Sequence, residues 1–594
     1  MTNALKTNLL NLVIVAWREC YDKENTLTAS SPSDVLATVD SYAPHLLPDV
    51  QTYTMIMDVA VRHDSNKANA AEFAQDLLQR MRVESRENFG LVPDAVAYDT
   101  VINALAESGL EDAPQKAEAL LEEMNQRAQE TGNENLLPTC NTFNRVLKAW
   151  VPTGNVKRME SILQKMLHLH ESGWKNINPD CYSFNNILSC HAKNGDVSSA
   201  ERLLLFMEQR DESSISTASY NMVMMAHAQS GNRDAGVKAE QIFQKMIQLR
   251  DSGSSRIRPD RKSFGIVLSA FVKSRDPNAG EKSEAVLRQM QTLYEEGDSD
   301  MKPDTLIFNS VLQVFSISYN PDAAERCQSI LDQMQKIYKS GNTSVKPNLW
   351  TYRIVMNAWS KRRGSYAVER CEAMIQQIEE AQKDENQGDL APNTVSFNHI
   401  LACYAKSSDP SAVIKAESVF KRMQELYIAG NVDVKPNARS FVHVISALAR
   451  RGGPESLEKA KALVQTMEEM AAAGDSDVAP DALTYCSLLS AIAKSGHKSA
   501  PQQAEALLNR MHEMNTKESN KLVKPDTYAF TIVIDAWVRS KHPDALQRAE
   551  SILVHMQELY EKGNKDAKPN FISFGCVLNA YSKQRDDIVA AERA

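Results

Sequence analysis

Asparagine recurs at one place in this sequence, directly after an aromatic residue. The set comprises Asn144, Asn185, Asn221, Asn309 and Asn398, and Asn11 follows Leu10 in the same context. A side-chain amide both donates and accepts hydrogen bonds, so a row of amides could recognise a planar hydrogen-bonding group in a ligand. Asparagine also favours helix starts, which is the alternative interpretation. The recurrence at one register, where neighbouring positions vary, favours recognition.

Catalytic and metal-binding arrangements are not found in the sequence. There is no Gly-rich phosphate loop, nucleophile elbow or HExxH motif. The nine cysteines are scattered and form no CxxC, which argues against a disulfide framework or zinc ribbon and suits a reducing compartment. His168 and His170 would point to different faces of a helix, so a shared metal is not expected. We therefore predict a protein that is not an enzyme and needs no cofactor or metal.

Composition places the chain among globular proteins with an acidic balance. Its 594 residues are 43% hydrophobic and 24% charged, with a formal net charge of -9. This charge argues against a simple charge-driven nucleic-acid binder, unless the acidic groups lie on an outer face and a neutral or basic groove faces the ligand. No apolar run approaches the ~18 residues of a membrane helix. The first residues contain one Lys and no Arg, unlike an Arg-rich transit peptide.

A repeated phrase organises the whole chain. Its anchor is Pro, four residues, then Tyr or Phe, as in Pro138 and Phe143, and one copy at Ile215 and Tyr220 has lost the Pro. There are thirteen such anchors, and ten of the twelve intervals between successive aromatic residues are 44 or 45 residues. Such a period indicates a repeat protein.

Each repeat is predicted to contain two helices. In the first, aliphatic residues at three and four positions after the aromatic form one apolar face, as with Val146 and Leu147 after Phe143. The Pro fits just ahead of the helix, and the Asp or Asn after it, together with Ser or Thr before the aromatic, can cap the first turn. The second helix follows the template Ala-Glu-x-aliphatic-aliphatic-x-x-Met. Its Met occurs eleven times and is predicted to pack between helices.

Stacking of these hairpins predicts an all-α solenoid, because one short hairpin cannot bury its apolar face alone. The predicted organisation is a truncated N-terminal repeat at 1–47, an array of twelve repeats at 48–568 and a truncated C-terminal repeat at 569–594. Both ends are expected to be cut within the array, so flanking domains are possible.

The phrase KPDTYAFTIVIDAW, followed by RAESILVHMQELYEKG and KPN, resembles the pentatricopeptide repeat family. The resemblance covers the chain from about Leu10 to its end and combines the Pro-Asp junction, the aromatic-Asn pair and the Glu-Met second helix. It implies helix-turn-helix modules that stack into a right-handed superhelix and bind single-stranded RNA. The repeats here are longer than those of the family, and most of the extra residues lie between the Met and the next Pro.

The resemblance also implies which residues read RNA. In the family one repeat reads one nucleotide, through the residue after the aromatic and the residue after the next Pro. The implied pairs are Asn11 with Asp49, Thr54 with Asp94, Asn144 with Asp180, Asn185 with Ser216, Asn221 with Asp260, Asn309 with Asn348, Asn398 with Asn437, and Thr531 with Asn570. By resemblance Asn-Asp favours uracil, Thr-Asp guanine, Asn-Ser cytosine, Asn-Asn a pyrimidine and Thr-Asn adenine.

Read from 5′ to 3′, the implied RNA is U-G-n-U-C-U-n-Y-n-Y-n-n-A, where Y is a pyrimidine. Five repeats receive no base, namely those led by Asp99, Gly265, Arg353, Val442 and Cys486.

The function implied by the resemblance is sequence-selective binding of single-stranded RNA in an organelle, either mitochondrion or plastid. Such binding would stabilise, process or activate translation of a transcript, with protein partners possible and no membrane or small-molecule partner. Two alternatives stay open. The chain could be a helical scaffold for protein–protein interaction, or the RNA-targeting part of a longer RNA-processing enzyme.

Overall fold

The computed structural model describes residues 3–24, 31–46, 48–85, 91–210, 214–274, 276–318, 320–362, 364–382, 391–407, 409–516, 520–540 and 542–583. Within these ranges it contains 27 α-helices and no β-strand. Residue 47 and residues 584–594, which belong to the two predicted truncated repeats, lie outside the described residues. The chain divides into two compact bodies, Met1–Lys302 and Pro303–Ala594. The predicted repeat boundaries at 47/48 and 568/569 stay a prediction.

The N-terminal body contains fourteen α-helices. They are α1 (Asn3–Glu24), α2 (Pro32–Leu46), α3 (Val50–His63), α4 (Lys67–Glu84), α5 (Ala95–Ser108), α6 (Ala113–Thr131), α7 (Cys140–Trp150), α8 (Val156–Glu171), α9 (Cys181–Asn194), α10 (Val197–Arg210), α11 (Thr217–Gln229), α12 (Ala235–Asp251), α13 (Arg261–Lys273) and α14 (Ala279–Glu295).

The C-terminal body contains the other thirteen described helices. They are α15 (Thr305–Ile317), α16 (Ala323–Lys339), α17 (Leu349–Ser360), α18 (Ser365–Gln382), α19 (Thr394–Lys406), α20 (Ala412–Ile428), α21 (Ala438–Arg451), α22 (Pro454–Ala472), α23 (Ala482–Ala493), α24 (Ala500–Thr516), α25 (Thr527–Arg539), α26 (Ala545–Glu561) and α27 (Phe571–Lys583).

Odd-numbered helices are the predicted first helices and even-numbered helices are the second helices. Within each body, a first helix packs against its own second helix and against the first helix of the next repeat, as α21 does with α22 and α23. The apolar face predicted for α7 is buried, since Phe143, Val146 and Leu147 are each at most 1% exposed. The predicted all-α fold of stacked helix hairpins is therefore confirmed in both bodies.

From α3 to α25, each first helix has its N-cap at the position that the sequence predicts. The residue after the Pro is the N-cap. At α9, Asp180 accepts hydrogen bonds from the backbone N–H groups of Tyr182 and Ser183, both at 3.0 Å. The Ser183 hydroxyl completes a capping box by accepting from the Asp180 N–H. Pro179 precedes the cap, outside the helix, where its missing N–H is not needed.

The second helices carry the packing methionines. All eleven are fully buried, at 0% exposure: Met81, Met124, Met166, Met207, Met246, Met290, Met334, Met423, Met467, Met511 and Met556. A flexible, unbranched side chain suits the irregular space between helices. The predicted packing role of these residues is confirmed.

The Glu of the second-helix template pairs with a cation on the second helix of the next repeat. Glu118 lies 2.9 Å from Arg158, and Glu417 lies 3.0 Å from Lys459. These pairs are partly exposed, so each contributes only about 0–1 kcal/mol to stability. Their recurrence joins successive repeats along the second helices.

The residues that lengthen the repeats form a short strap between the second helix and the next Pro. After α16 the chain turns at Gly341, whose φ of 101° suits glycine, and enters a 3-10 helix at Thr343–Val345. Val345 is buried beneath it. The Thr305 hydroxyl, at the start of α15, donates to the Ser344 and Lys346 carbonyls at 3.1 and 2.8 Å. In this repeat the extra residues thus fasten the hairpin to the start of its own first helix.

Seven other 3-10 segments lie between a second helix and the next first helix, and each ends in a buried residue. They are Glu134–Leu136, Lys175–Ile177, Ser299–Met301, Val432–Val434, Ser476–Val478, Lys521–Val523 and Lys565–Ala567. A further 3-10 turn, Val151–Thr153, links α7 to α8. Across the described ranges, every helix is too short or too polar to cross a bilayer.

Substitution of a template Met is expected to cost more stability than substitution of a larger exposed residue in the same helix. Met423 is fully buried in α20, whereas Ile428, at the end of that helix, is 83% exposed. We expect Met423→Ala to lower the free energy of unfolding by about 2–5 kcal/mol, because it opens a cavity between helices. Ile428→Ala is the control and should cost less than about 0.5 kcal/mol. Urea unfolding followed by circular dichroism checks this, and equal effects would contradict the packing role.

Candidate nucleic-acid interface

The structure brings six of the eight predicted pairs into direct contact. In each, the Asn amide nitrogen donates to the N-cap side chain of the next first helix. The distances are 3.1 Å for Asn11 to Asp49, 3.0 Å for Asn144 to Asp180, 3.3 Å for Asn185 to Ser216, 3.2 Å for Asn221 to Asp260, 3.4 Å for Asn309 to Asn348 and 3.2 Å for Asn398 to Asn437. Sequence positions some 40 residues apart thus meet at every such junction.

The amide oxygen of the same asparagine is held in four of the six pairs. It accepts from the Ser or Thr hydroxyl of the capping box, at 2.6 Å for Asn144 with Ser183 and 2.7 Å for Asn398 with Ser440. Asn11 with Thr52 and Asn185 with Ser219 are the other two cases, at 2.6 and 2.7 Å. These amides are fixed at both ends.

Asn221 and Asn309 differ, because their amide oxygens are buried and accept no hydrogen bond from the described residues. Beside Asn221, the capping-box hydroxyl of Ser263 donates to Asp260 at 2.8 Å instead. Beside Asn309, the Thr351 hydroxyl donates to Asn348 at 3.0 Å. A buried acceptor without a donor is unfavourable by roughly 1–3 kcal/mol.

The two threonine-led pairs are arranged differently. Thr54 donates to the Val50 carbonyl of its own helix at 2.7 Å, and Asp94 caps α5 through the Ala97 N–H at 2.9 Å. Between these two side chains there is no direct hydrogen bond among the described contacts.

Thr531 likewise bonds within its helix, to the Thr527 carbonyl at 2.7 Å. It reaches Asn570 only through Ser573, which lies 3.0 Å from Thr531 and donates to Asn570 at 3.1 Å. A short hydroxyl cannot span the distance that an asparagine amide spans.

The asparagines lie at the junction between repeats and are shielded from solvent. Asn221, Asn309 and Asn398 are 3%, 4% and 8% exposed, and Asn11 and Asn144 are half-buried. Their hydrogen bonds to the N-caps connect one first helix to the next. The recurrence of this pair is therefore explained by helix-start chemistry alone, and it does not by itself distinguish an RNA-binding array from a helical scaffold.

A row of exposed apolar side chains lies three residues before the position that follows the aromatic residue of a first helix. A spacing of three places both residues on the same face of a helix. The row comprises Val96, Tyr182, Leu306, Trp350, Leu483, Tyr528 and Ile572, each at least 50% exposed. Large apolar side chains repeated on an open face indicate a ligand-binding surface. We call this face of the first helices the exposed stripe.

Cations occupy the other end of the exposed stripe in the C-terminal body. Eleven residues after the apolar row, three helical turns on, the position holds Lys361, Lys406, Arg450, Lys494 and Arg539 in five successive repeats. Lys406 and Arg450 of this set also bind the end of the preceding first helix, since they donate to the Ser360 carbonyl at 2.7 Å and to the Ala405 carbonyl at 2.8 Å respectively. Arg539 instead pairs with Asp535 of its own helix at 2.9 Å. We call these five residues the basic row.

Two histidines on the same face show how positive this region is. The pKa of His399 is lowered to about 4, mainly by burial and to a smaller extent by the charges of Arg353 and Lys406. The pKa of His443 is also lowered to about 4, mainly by burial, with smaller contributions from Lys406, Arg439 and His399. Cations that oppose protonation of a histidine also attract an anion to the same place.

A cavity of about 570 Å³ lies between the first helices of the N-terminal body. Its lining includes Asn11, Thr54, Asp94 and Asp99, and thus brings residues of three predicted reading steps to one space. Arg145 contributes a cation to the same wall. The volume is large enough for a planar group of the size of a nucleobase.

The apolar and basic rows are functional candidates that the sequence analysis missed. Both follow from the spacing of 3, 7 and 11 residues that marks one helical face, so the signal was present in the sequence. It was hidden because only burial tells an exposed Trp350 from a buried Trp359. Among the steps left without a base, Val442 is 4% exposed and Cys486 lies with its sulfur 3.9 Å from Asp526.

One protein-family model matches part of this chain. Residues 182–211, which span most of α9 and all of α10, match the family model described as PPR repeat. The cap, aromatic residue and buried Met of this hairpin recur in the same order along both bodies. The hairpin of α9 and α10 is thus similar to a pentatricopeptide repeat.

Solved structures of other proteins are also similar to this chain. Two are of the pentatricopeptide repeat protein PPR10 in complex with an 18-nt psaJ RNA element, one of them a triple cysteine-to-serine variant. Both are 17% identical to this chain, with a TM-score of 0.42, and the alignments cover 99% of this chain and 78% of that chain. No curated protein sequence matches the chain significantly.

Acid is expected to destabilise the C-terminal body through His399 and His443. Both have a pKa of about 4 in the folded chain, below the ordinary value of 6.5. The unfolded chain therefore takes up protons first, and stability falls as pH drops from about 6.5 towards 4. A double His399→Gln, His443→Gln variant should lose less stability between pH 7.5 and 5 than the unmodified chain. Urea unfolding at both pH values tests this, and identical losses would contradict it.

Proposed function

We propose that this chain binds single-stranded RNA along the exposed stripe of its first helices, one nucleotide per repeat. The observation on which this rests most is the coincidence of three side-chain types on one face. At α17 these are the half-exposed Trp350, the position of Arg353 and the cation Lys361, three turns from Trp350. Aromatic and apolar side chains stack on bases, polar side chains bond base edges, and cations neutralise phosphates.

Each asparagine pair would read the edge of one base. The N-cap holds the amide in one orientation, as Asp180 holds Asn144, and a fixed amide presents donor and acceptor at defined places. The order of bases is the one implied by the resemblance, U-G-n-U-C-U-n-Y-n-Y-n-n-A. The residues proposed to read it are the eight pairs from Asn11 with Asp49 to Thr531 with Asn570.

The biological action would be the binding of this chain to a transcript. A bound array blocks nucleases and holds RNA unpaired, which would stabilise, process or activate translation of an RNA in a mitochondrion or plastid. The distribution of charge fits this proposal, since acidic groups such as Glu118 and Glu417 are paired on the second helices while the basic row lies on the first.

A helical scaffold for proteins is the second candidate, because the asparagine pairs have a structural role without any ligand. The two functions differ in what the exposed stripe binds. A scaffold would enrich no RNA sequence.

Selection of bound RNA from a random pool tests base reading. We expect the unmodified chain to enrich U at nucleotides 4 and 6, and Asn144→Ala and Asn221→Ala to lose the preference at nucleotide 4 and nucleotide 6 respectively. The loss should be about 10-fold in affinity for the preferred base, the size of one good base contact.

The matched control for these variants is Ser183→Ala. It removes the hydroxyl that donates to Asn144 at 2.6 Å but leaves the amide in place. It should weaken the preference for U at nucleotide 4 less than Asn144→Ala does, because the bond from Asn144 to Asp180 at 3.0 Å still orients the amide. If no RNA is enriched by the unmodified chain, or if all variants enrich the same sequences, the proposed function is wrong.

Phosphate binding by the basic row predicts a change in salt dependence. The double variant Arg450→Gln, Lys494→Gln should weaken binding of every RNA sequence and reduce the slope of log K against log salt by about 1.4, at ~0.7 per lost phosphate contact. The control is Lys459→Gln, Lys461→Gln, which removes two cations of the second helix α22 that are paired with Glu417 and Glu458. Fluorescence anisotropy over a salt series measures both, and equal slopes would count against the basic row.

A further inference from the structure

Two cysteines meet in the C-terminal body, where the second helix α18 packs against the next first helix α19. The Sγ atoms of Cys371 and Cys403 lie 3.4 Å apart, although the two residues are 32 positions apart in the sequence. Both side chains are buried, at 0% and 2% exposure, and both are free thiols. The junction therefore holds two groups that are close enough to react with each other.

The contact between the cysteines follows from the stacking of the repeats. Cys371 occupies the Ala position of the second-helix template, as Ala504 does in α24. Cys403 lies six residues after the aromatic Phe397, where most repeats have alanine, such as Ala536 in α25. Small buried residues at both positions let a second helix approach the next first helix closely. This is the one junction of the sequence at which both positions hold cysteine.

A hydrogen bond one residue further along fixes how α18 and α19 face each other. The Tyr404 hydroxyl donates to the carboxylate of Glu372, and these two residues directly follow the two cysteines. The equivalent bond recurs at other junctions, for example from the Trp537 indole N–H to Glu505 at 3.0 Å. Because this register is shared between junctions, the contact of the cysteines is a property of the stacked helices and not of one side-chain rotamer.

We propose that Cys371 and Cys403 form a reversible disulfide bond that joins two successive repeats when the chain is oxidised. The bond requires the sulfur atoms to approach to about 2.05 Å, ~1.4 Å closer than they lie in the reduced chain. This site is independent of RNA binding, so its test does not bear on the proposed function.

Hydrogen peroxide is the class of oxidant that this step needs. It oxidises one thiol to a sulfenic acid and releases one water. The second thiol then attacks the sulfenic sulfur, forms the S–S bond and displaces the hydroxyl as a second water. Two thiols are thereby oxidised to one disulfide while one peroxide is reduced to two waters, and a dithiol reductant reverses the reaction.

The burial of the pair sets the conditions for this oxidation. The hydrogen bond with Cys403, together with burial, raises the pKa of the Cys371 thiol, so that little of the reactive thiolate is present. Oxidation therefore proceeds when the junction opens locally and admits the oxidant. Restricted access also slows attack by thiol reductants once the bond has formed. The pair thus responds to sustained oxidation and remains reduced in a reducing compartment.

A count of free thiols in the full chain tests the proposal. The folded chain is incubated with hydrogen peroxide, the oxidant is removed, and the thiols are alkylated in denaturant and counted by mass spectrometry. The nine cysteines should give nine alkylated thiols before oxidation and seven after it, and dithiothreitol should restore nine. A digest of the oxidised chain should contain a peptide that links Cys371 to Cys403.

Two alanine variants are matched controls. Cys371→Ala introduces the residue that most repeats have at this position, and it should keep all eight of its thiols after oxidation. Cys327→Ala changes the same template position in α16, where the next first helix has Ala358 in place of a cysteine. That variant should still lose two thiols, from eight to six. If the unmodified chain keeps nine thiols, if Cys371→Ala also loses two, or if the linked peptide contains a different cysteine, the proposed disulfide is wrong.

Discussion

The structure depends on the hydrogen bonds at the start of each first helix. The first turn of a helix leaves N–H groups without partners, and here the residue after the Pro satisfies them from its side chain. At α9 that residue, Asp180, also accepts from Asn144 of the preceding repeat. The side chain that caps one helix therefore also joins two repeats. Because hairpins of this size bury their apolar faces only against neighbours, the junction decides how the neighbours meet.

This arrangement gives the candidate recognition residues two roles. An amide that is already bonded on both sides, as Asn144 is to Asp180 and Ser183, has a fixed orientation before any ligand arrives. Less conformational freedom then has to be lost on binding. Asn221 and Asn309 are different, since each keeps a buried oxygen without a donor. The repeats are thus alike in geometry but not in the hydrogen-bonding capacity they leave unused.

Charged side chains are distributed differently on the first and the second helices. The net charge of -9 indicates an acidic surface, yet the basic row places five cations on the first helices of the C-terminal body. Acidic residues of the second helices are largely engaged by cations of the next repeat, as Glu118 is by Arg158. Such pairs contribute little stability each. On the basic row, Arg539 is paired as well, with Asp535 at 2.9 Å. Arg145, which faces Asp99, is the clearest departure from this distribution.

The sequence alone determined the helices, their caps and the packing positions, because these follow from local spacing. The Pro-Asp phrase marks a helix start, and the eleven methionines at one template position proved to be fully buried. It also pointed to the asparagines and their partners, through resemblance. Only the tertiary structure decided that those partners bond each other across a junction, that Trp350 is exposed while Trp359 is buried, and that Asp99 faces Arg145. The physical reason is that such facts depend on which residues some 40 positions apart are brought together when one repeat stacks on the next, and a periodic sequence does not specify the side-chain contacts that each individual junction makes.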